Sequence, residues 1–471
     1  MDGLVKQTAL DLLQGRLLTR HEIEQLMAQH QVEVKIEVLI QMLEARECVK
    51  EEPGGYKCQR CNNQNLDGFT RLHMSKEKLP GATRAYCLNC LQMGRMIQGD
   101  YLYASPPVTS TQPIEEAVLT WQGILSAEQK RAAEDLVESL AAPAYPHAII
   151  AVTGAGKTEM IFPVIAQVLQ EGGRVAVASP RIDVCLELFP RLQEAFASTA
   201  LMLLYGDVEE PYQHTSLVIC TTHQLLRFEA AFDLLIVDEV DAFPYAGDAS
   251  LHFAVKRAVK PQRGKRVYLT ATPDAAMLLA VKRGELTQTV LPARYHGYPL
   301  PEPQFKWVGN WSQSIDRCQM RSKIWRLLRN FLALEGVKLI FMPQIKLAEA
   351  LFDWLSETLP EFKVACVHSK DPERKAKVQA LRDGDYEALI STTILERGVT
   401  FTNCHVCIVG AENGLYSTSA LVQMSGRVGR KSDYPTGHLI YAHAGVSRSM
   451  LQAKKQIEHM NQDARAKGLV N

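Results

Sequence analysis

Ala151-Val152-Thr153-Gly154-Ala155-Gly156-Lys157-Thr158 closes an apolar, strand-like run and opens a helical segment. Strand, glycine-rich turn and helix, in that order, are the context that a phosphate-binding loop requires. Glycines let backbone N–H groups turn inward around phosphate oxygens, and the helix N-terminus adds its partial positive charge. In this pattern Thr153, Gly154, Ala155 and Gly156 form the cradle. Lys157 brings a cation to the β- and γ-phosphates, and the Thr158 hydroxyl is placed to ligate Mg²⁺. Ala151 stands where the common pattern has its first glycine. The competing reading is a glycine-rich turn that binds nothing, and the motifs downstream weigh against it.

Outward from this loop, short β-branched runs alternate with helical stretches. They are Ala148–Val152, Val175–Ala178, Leu217–Cys220, Leu234–Val237 and Val267–Thr270. After the irregular segment Leu291 to Pro303, with its four prolines, come Lys338–Met342, Val364–His368, Ala388–Ser391, Val406–Gly410 and Gly437–Tyr441. Such alternation predicts βαβ units around parallel sheets, hence an α/β chain with two such domains in tandem. The expected division is 1–52, an N-terminal helical segment; 53–104, a four-cysteine module; 105–290, the first α/β domain; 291–310, a linker; and 311–471, the second. Within 4–47 three short amphipathic helices are expected, with Thr19 and Glu22 spaced as a capping box and a hairpin turn at Pro53-Gly54-Gly55. Three helices and a hairpin fit a winged-helix-like unit or any small helical adaptor. The polar, proline-bearing stretch from Ser105 to Pro113 reads as a linker.

The 471 residues suffice for about three domains. The 52 Lys+Arg balance the 52 Asp+Glu, which excludes polyanion binding by bulk attraction but leaves room for a local basic groove. A charged fraction of 22% and a hydrophobic fraction of 46% describe a globular chain rather than a disordered one. No apolar run approaches the ~18 residues needed to cross a bilayer. Met1-Asp2-Gly3 opens without a basic segment and apolar core, so no signal peptide is expected. Eleven cysteines, an odd number with several in apolar runs, fit a reducing compartment and a cytoplasmic location.

Leu234-Leu235-Ile236-Val237-Asp238-Glu239 is an apolar strand ending in two carboxylates. Asp238 can hold a Mg²⁺ shell, and Glu239 can polarise an attacking water. In the second α/β half, Gln423-Met424-Ser425-Gly426-Arg427-Val428-Gly429-Arg430 places two arginines three apart among glycines. Alone, such a pair more often makes surface ion pairs. Opposite a phosphate-binding loop, planar and permanently charged guanidinium groups suit the charge on a transferring γ-phosphate.

These segments together resemble the superfamily 2 helicases, which carry two RecA-like (P-loop) domains. Ser179-Pro180-Arg181 resembles motif Ia, Thr221-Thr222-His223 motif Ib, Asp238-Glu239-Val240-Asp241 the DExD box, and Thr270-Ala271-Thr272 motif III. Ser391-Thr392-Thr393 through Glu396-Arg397-Gly398-Val399-Thr400 resembles motif V, and Gln423 to Arg430 motif VI. The resemblance implies nucleotide contacts from Gly398 and Gln423. It also matches Gln129, in Leu125-Ser126-Ala127-Glu128-Gln129, to a glutamine that reads adenine, since an amide has donor and acceptor side by side. Thr400 stands where related RNA helicases place an aspartate on the ribose. Gln423 replaces a histidine of many of them, which tilts the reading toward DNA.

The four cysteines ahead of the motor, with Asp238 to Tyr245 and Glu396 to Phe401, look like the ComFA family of competence helicases. That resemblance implies an ATP-driven motor that helps bring single-stranded transforming DNA into the cytoplasm. It further implies partners ComFC and DprA and work near the ComEC channel at the cytoplasmic face of the membrane, with no transmembrane segment of its own. A replication-restart helicase of the PriA type also joins cysteine pairs to this motor, but there they fall inside the motor's second half. A reading of another class is a non-catalytic zinc adaptor with ATP as a structural ligand. Intact Glu239, Arg427 and Arg430 argue against it.

Cys58-x₂-Cys61 and Cys87-x₂-Cys90 are separated by 25 residues. Four thiolates in two such pairs are preferred ligands for one tetrahedral Zn²⁺. A chain of this cysteine content holds only about 0.26 such pairs by chance, so two close together are informative. Cys404-x₂-Cys407, by the same reasoning, reads as two small hydrophobes in a buried strand. Over 56–103 the cations Lys57, Arg60, Arg71, Lys76, Lys78, Arg84 and Arg95 outnumber Asp67, Glu77 and Asp100. With four thiolates and one Zn²⁺ the module stays near about +2. Tyr56, Phe69, Tyr86, Tyr101 and Tyr103 either stack bases or pack a small metal-stapled core.

Overall fold

The computed structural model describes residues 3–73, 83–105, 113, 117–142, 145–206, 210–396 and 401–470. Most of the Ser105–Pro113 stretch, the cations Lys76 and Lys78, and Arg397 to Thr400 of the motif V segment lie outside the described residues.

The strand-like runs of the first α/β half form a parallel sheet of seven strands among the described residues. Its order is Leu201–Leu204, Leu217–Thr221, Val175–Ser179, Leu234–Val237, Lys265–Thr270, His147–Ala151 and Thr287–Leu291. Five of these follow the expected runs to within two residues. Their side chains are buried on both faces, which is why they read as continuous apolar runs rather than alternating ones. The second half forms a six-stranded parallel sheet in the order Gln304–Trp307, Leu439–His443, Cys404–Val409, Val337–Phe341, Ala388–Ser391 and Val364–Val367. Because Leu291 closes one sheet and Gln304 begins the other, the connector between the sheets is 292–303.

The N-terminal residues build one small unit. Helices Gly3–Leu13, Arg20–Gln29 and Ile36–Ile40 pack against a three-stranded antiparallel sheet. Its central strand, Tyr101–Ala104, lies between Leu17–Thr19 and Glu44–Glu47. Residues on both sides of position 52 therefore share one sheet, because the strand that completes it comes after the cysteines. Within the three-stranded sheet unit the order is helix, strand, two helices and two strands, the order expected of a winged-helix-like unit. Two hairpins occupy the wing, Val49–Glu52 with Gly55–Cys58 and Phe69–His73 with Thr83–Cys87. The helix Ile36–Ile40 has Glu37 exposed and paired to Arg20.

The expected capping box is present: Thr19 N–H donates to Glu22 Oε2 at 2.8 Å, and Glu22 N–H donates to Thr19 Oγ1 at 3.3 Å. Glu22 also pairs with Arg60 and, at 3.0 Å, with Arg227 of the first motor domain. Arg46 meets Glu229 at 2.7 Å, and Arg257 donates to the carbonyls of Gln59 and Arg60 at 3.0 and 2.6 Å. Apolar packing is continuous as well. Leu12, Leu26 and Met96 of the small unit belong to the same buried cluster as Val218, Leu235 and Val255 of the motor.

Candidate nucleotide cleft and metal-binding cysteines

The phosphate-binding loop runs from the strand His147–Ala151 into a helical turn at Lys157–Met160. Gly154 and Gly156 sit at φ +83° and +74°, left-handed conformations that favour glycine. An added Cβ at 156 would lie 2.2 Å from Gln129 Nε2 and would displace that amide from the loop. Gln129 caps its own helix through Ser126, accepting the Ser126 N–H on Oε1 at 2.9 Å. Its Nε2 donates to the carbonyls of Ala155 and Gly156 at 3.0 and 3.4 Å. The amide thus braces the loop, and reading an adenine edge would draw on the one lone pair left on Oε1 and on a donor already shared.

Lys157 is half-buried against the loop, its Nζ donating to the Ala151 carbonyl at 3.3 Å. Burial lowers its pKa, while Asp238, Asp241 and Glu239 pull the other way. Asp238 and Glu239 follow the strand Leu234–Val237. Glu239 adopts φ +56°, a conformation that costs a non-glycine residue about 1 kcal/mol or more and is retained where surroundings enforce it. Its N–H donates to the Asp238 carboxylate at 2.8 Å.

A cleft of about 570 Å³ between the two halves gathers these groups. Its walls include Gln129, Thr153 to Thr158, Asp238 and Glu239 from the first half, and Gln423 and Arg430 from the second. The size suits a nucleotide. Arg427 stands behind this wall, 2% exposed, with its Nε donating to the Glu396 carbonyl at 3.1 Å. Burial, then the neighbouring Arg430 charge, pushes its pKa well down; Arg430 is shifted the same way by burial. Gly398 and Thr400 lie outside the described residues. The carboxylate pair Asp238–Glu239, with the Thr158 hydroxyl in the same cleft, is a donor set that suits Mg²⁺.

The halves also touch beyond the cleft. Asp241 accepts hydrogen bonds from Thr270 and Thr272 at 2.9 and 2.6 Å and from Ser419 of the second half at 2.5 Å. Motif II, motif III and the helix leading to motif VI therefore share one carboxylate. Arg181 pairs with Glu396 at 2.9 Å, and Asp183 with Arg374 at 2.8 Å. Ser419, Arg374 and Arg294 gave no motif signal: the first two are single polar residues whose partners come from the other half, and Arg294, in the connector, has partners in both.

In the N-terminal unit the sulfurs of Cys58, Cys61, Cys87 and Cys90 all lie within 4.8 Å of one another, and all four residues are buried. Cys58–Cys90 and Cys61–Cys87 are 3.7 and 3.6 Å apart. Metal–sulfur bonds of about 2.3 Å in a tetrahedron set sulfur–sulfur edges near 3.8 Å, so the set can hold a metal ion. The surrounding cations are less available than their count suggests. Arg60 is fully buried, with Nη1 donating to the Met93 carbonyl at 3.0 Å, and Arg84 pairs with Asp100 at 3.7 Å. Tyr56, Phe69 and Tyr103 pack against the core, while Tyr101 is exposed. Cys404 and Cys407 are buried in their strand, with both thiols pushed up to about 12, chiefly by burial.

Two RecA-like sheets with this cleft between them define a helicase-type motor of superfamily 2. Residues 126–279 match the family described as "DEAD/DEAH box helicase", and residues 322–432 match "Helicase conserved C-terminal domain". Residues 5–104 match "Competence protein ComFA N-terminal domain". Competence protein ComFA of Streptococcus pneumoniae is 42% identical over 456 residues, 97% of this chain and 99% of that protein. Competence protein ComFA of Bacillus subtilis is 41% identical over 86% of each. The chain belongs to the ComFA family. Among solved structures, S. cerevisiae Dbp5 bound to RNA and ADP BeF3 superposes with a TM-score of 0.54 at 18% identity, covering 72% of this chain and 88% of that one. Mycobacterium smegmatis helicase Lhr bound to ssDNA and AMP-PNP gives 0.53 at 19%, covering 72% and 50%. Both share the two-domain motor fold.

Proposed function

We propose that this protein is an ATP-driven translocase that pulls single-stranded DNA, serving DNA uptake in natural competence. The observation that carries the reading is one cleft lined by the phosphate-binding loop and Asp238–Glu239 from one half and by Arg430 from the other.

ATP lies with its triphosphate along Thr153 to Thr158, and Lys157 neutralises the β- and γ-oxygens. Thr158 and Asp238 would hold Mg²⁺, which supplies charge neutralisation on the phosphates. Glu239 polarises the attacking water, and Arg430, with Arg427 behind it, meets charge developing on the γ-phosphate. The products are ADP and phosphate. The arginines gain contacts mainly while the γ-phosphate is present, so nucleotide favours the closed cleft and hydrolysis releases it.

A strand's phosphates bound at this seam would compete with Glu396 and Asp183 for the guanidinium groups of Arg181 and Arg374, which the two acids now hold. Exchanging those internal anions for DNA would change the contact between the halves, which links grip to closure. Such contacts track the backbone and read little sequence. The four cysteines hold a structural Zn²⁺ that staples the wing. No helix of the described residues is long and apolar enough to cross a membrane. Work beside a channel such as ComEC would therefore run through partner contacts, ComFC and DprA among those the family suggests.

The test is phosphate release by the full chain with matched ssDNA, dsDNA and RNA, with zinc measured in the same preparation. Stimulation by ssDNA at least about 10-fold above RNA, with one zinc per chain, is expected. Equal stimulation by RNA, or none by any nucleic acid, contradicts the reading.

A further inference from the structure

Arg294 lies in the connector 292–303, a segment that belongs to neither sheet, yet it is only 2% exposed. Its Nε donates to the carbonyl of Thr153 in the phosphate-binding loop at 3.2 Å, and its Nη1 donates to the carbonyl of Gly429 at 2.5 Å. Gly429 immediately precedes Arg430. His296, two residues along the connector, brings Nε2 to 3.1 Å from the same Gly429 carbonyl.

The turn that Arg294 grips is set close against the loop. An added Cβ on Gly426 would lie 2.0 Å from Thr153 Oγ1, and one on Gly429 would lie 2.2 Å from the Pro435 carbonyl and 2.9 Å from Arg294 Nη1. Arg430 completes the turn by donating from Nε to the Gly426 carbonyl at 3.2 Å. Hydrogen bonds from Arg294 to Thr153 and Gly429, followed by the peptide bond from Gly429 to Arg430, thus connect the loop of the first half to the cleft-facing arginine of the second.

The arrangement is costly. Burial, with the Arg430 charge adding to it, pulls the Arg294 pKa down to about 9. No carboxylate pairs with it among the described residues, and its Nη2 is buried without a hydrogen-bond partner. A short neutral donor could hold either carbonyl without burying a charge. The planar guanidinium fork reaches both carbonyls from one stem, with Nε on one and Nη1 on the other.

We propose that Arg294 is a positioning residue for ATP hydrolysis, holding Arg430 against the γ-phosphate side of the cleft by tying the Gly426–Arg430 turn to the carbonyl of Thr153. It acts through Arg430 and does not touch the nucleotide. A loop that shifts when nucleotide arrives or leaves would carry the arginine with it. This rests on the hydrolytic reading above.

The experiment compares wild type, Arg294→Gln, Arg294→Lys, Arg430→Ala and the double variant Arg294→Gln/Arg430→Ala, all in the full chain. Melting temperature, affinity for a fluorescent ATP analogue and ssDNA-stimulated kcat are read for each. For Arg294→Gln, affinity within about 3-fold of wild type and kcat lower by roughly 30-fold are expected. Arg294→Lys, which keeps the charge and reaches one carbonyl, should lose less, about 5-fold in kcat, with an unchanged melting temperature; it decides the matter if the glutamine variant does not fold. The double variant should turn over no more slowly than Arg430→Ala, because both act through one group. Wild-type kcat in both Arg294 variants, parallel loss of affinity and kcat, or multiplicative loss in the double variant overturns the assignment while leaving the motor reading intact. A wild-type chain that hydrolyses no ATP overturns both.

Discussion

Lys157 stands among three carboxylates, Asp238, Asp241 and Glu239, in a half-buried position that by itself disfavours its charge. Those acids favour the charged ammonium, which is what a phosphate needs from it. Lys157→Ala should reduce ssDNA-stimulated phosphate release by at least about 10²-fold while the chain stays folded. Near-normal hydrolysis by a folded variant would show that the loop is not the catalytic cradle. At this scale the sequence was most legible where chemistry and local backbone coincide, as in Gly154 to Thr158 and Asp238–Glu239. Arg294 was illegible, because nothing in a proline-rich connector marks an arginine whose two acceptors lie 141 and 135 positions away. Gln129 was legible as a cleft residue, but its grip on the loop carbonyls depends on how its helix abuts the loop.

At the scale of elements, the central strands of both sheets were readable because burial on both faces makes them uniformly apolar. Three strands escaped, Leu201–Leu204, Thr287–Leu291 and Gln304–Trp307, each at a sheet edge: the last two carry exposed polar residues, Thr287, Gln288, Gln304 and Lys306, while Leu201–Leu204 is a four-residue leucine–methionine run without β-branched residues to mark it. The winged-helix sheet was hidden for a different reason, since its middle strand is separated from its neighbours by the two cysteine hairpins. Glu22 is one of the residues that join these elements to the motor. It caps its helix and accepts from Arg60 and Arg227. Burial alone would raise its pKa, yet Arg60 and then Arg227 bring it down to about 2. A carboxyl depressed in the folded state contributes stability above its unfolded pKa, near 4.5, and loses it as pH falls toward about 2. Glu22→Gln should therefore destabilise the chain at pH 7 by roughly 3 kcal/mol and flatten the acid limb of its stability curve between those values. Denaturant titrations at pH 7 and pH 3 check this, and an equal gap between wild type and variant at both would refute the role given to the Arg60–Glu22–Arg227 cluster.

For the whole molecule, the hydrogen bonds of Asp241 and the pairs Arg181–Glu396 and Asp183–Arg374 place both halves in one engaged arrangement. The N-terminal unit docks on the first half through Glu22, Arg46 and the carbonyls that Arg257 grips. It can therefore ride on that half while the second opens and closes against it. In this account the cleft is shared property: the loop half binds ATP, and the second half completes the catalytic set. The most direct measurement is single-turnover hydrolysis on saturating ssDNA by wild type and Arg430→Ala, with ATP affinity titrated in parallel. A fall of about 10³-fold or more in the hydrolysis rate, with affinity changed by only a few fold, is the predicted result. An unchanged rate in the folded variant would mean that the second half contributes no catalytic arginine from this position, and the shared cleft would lose its engine.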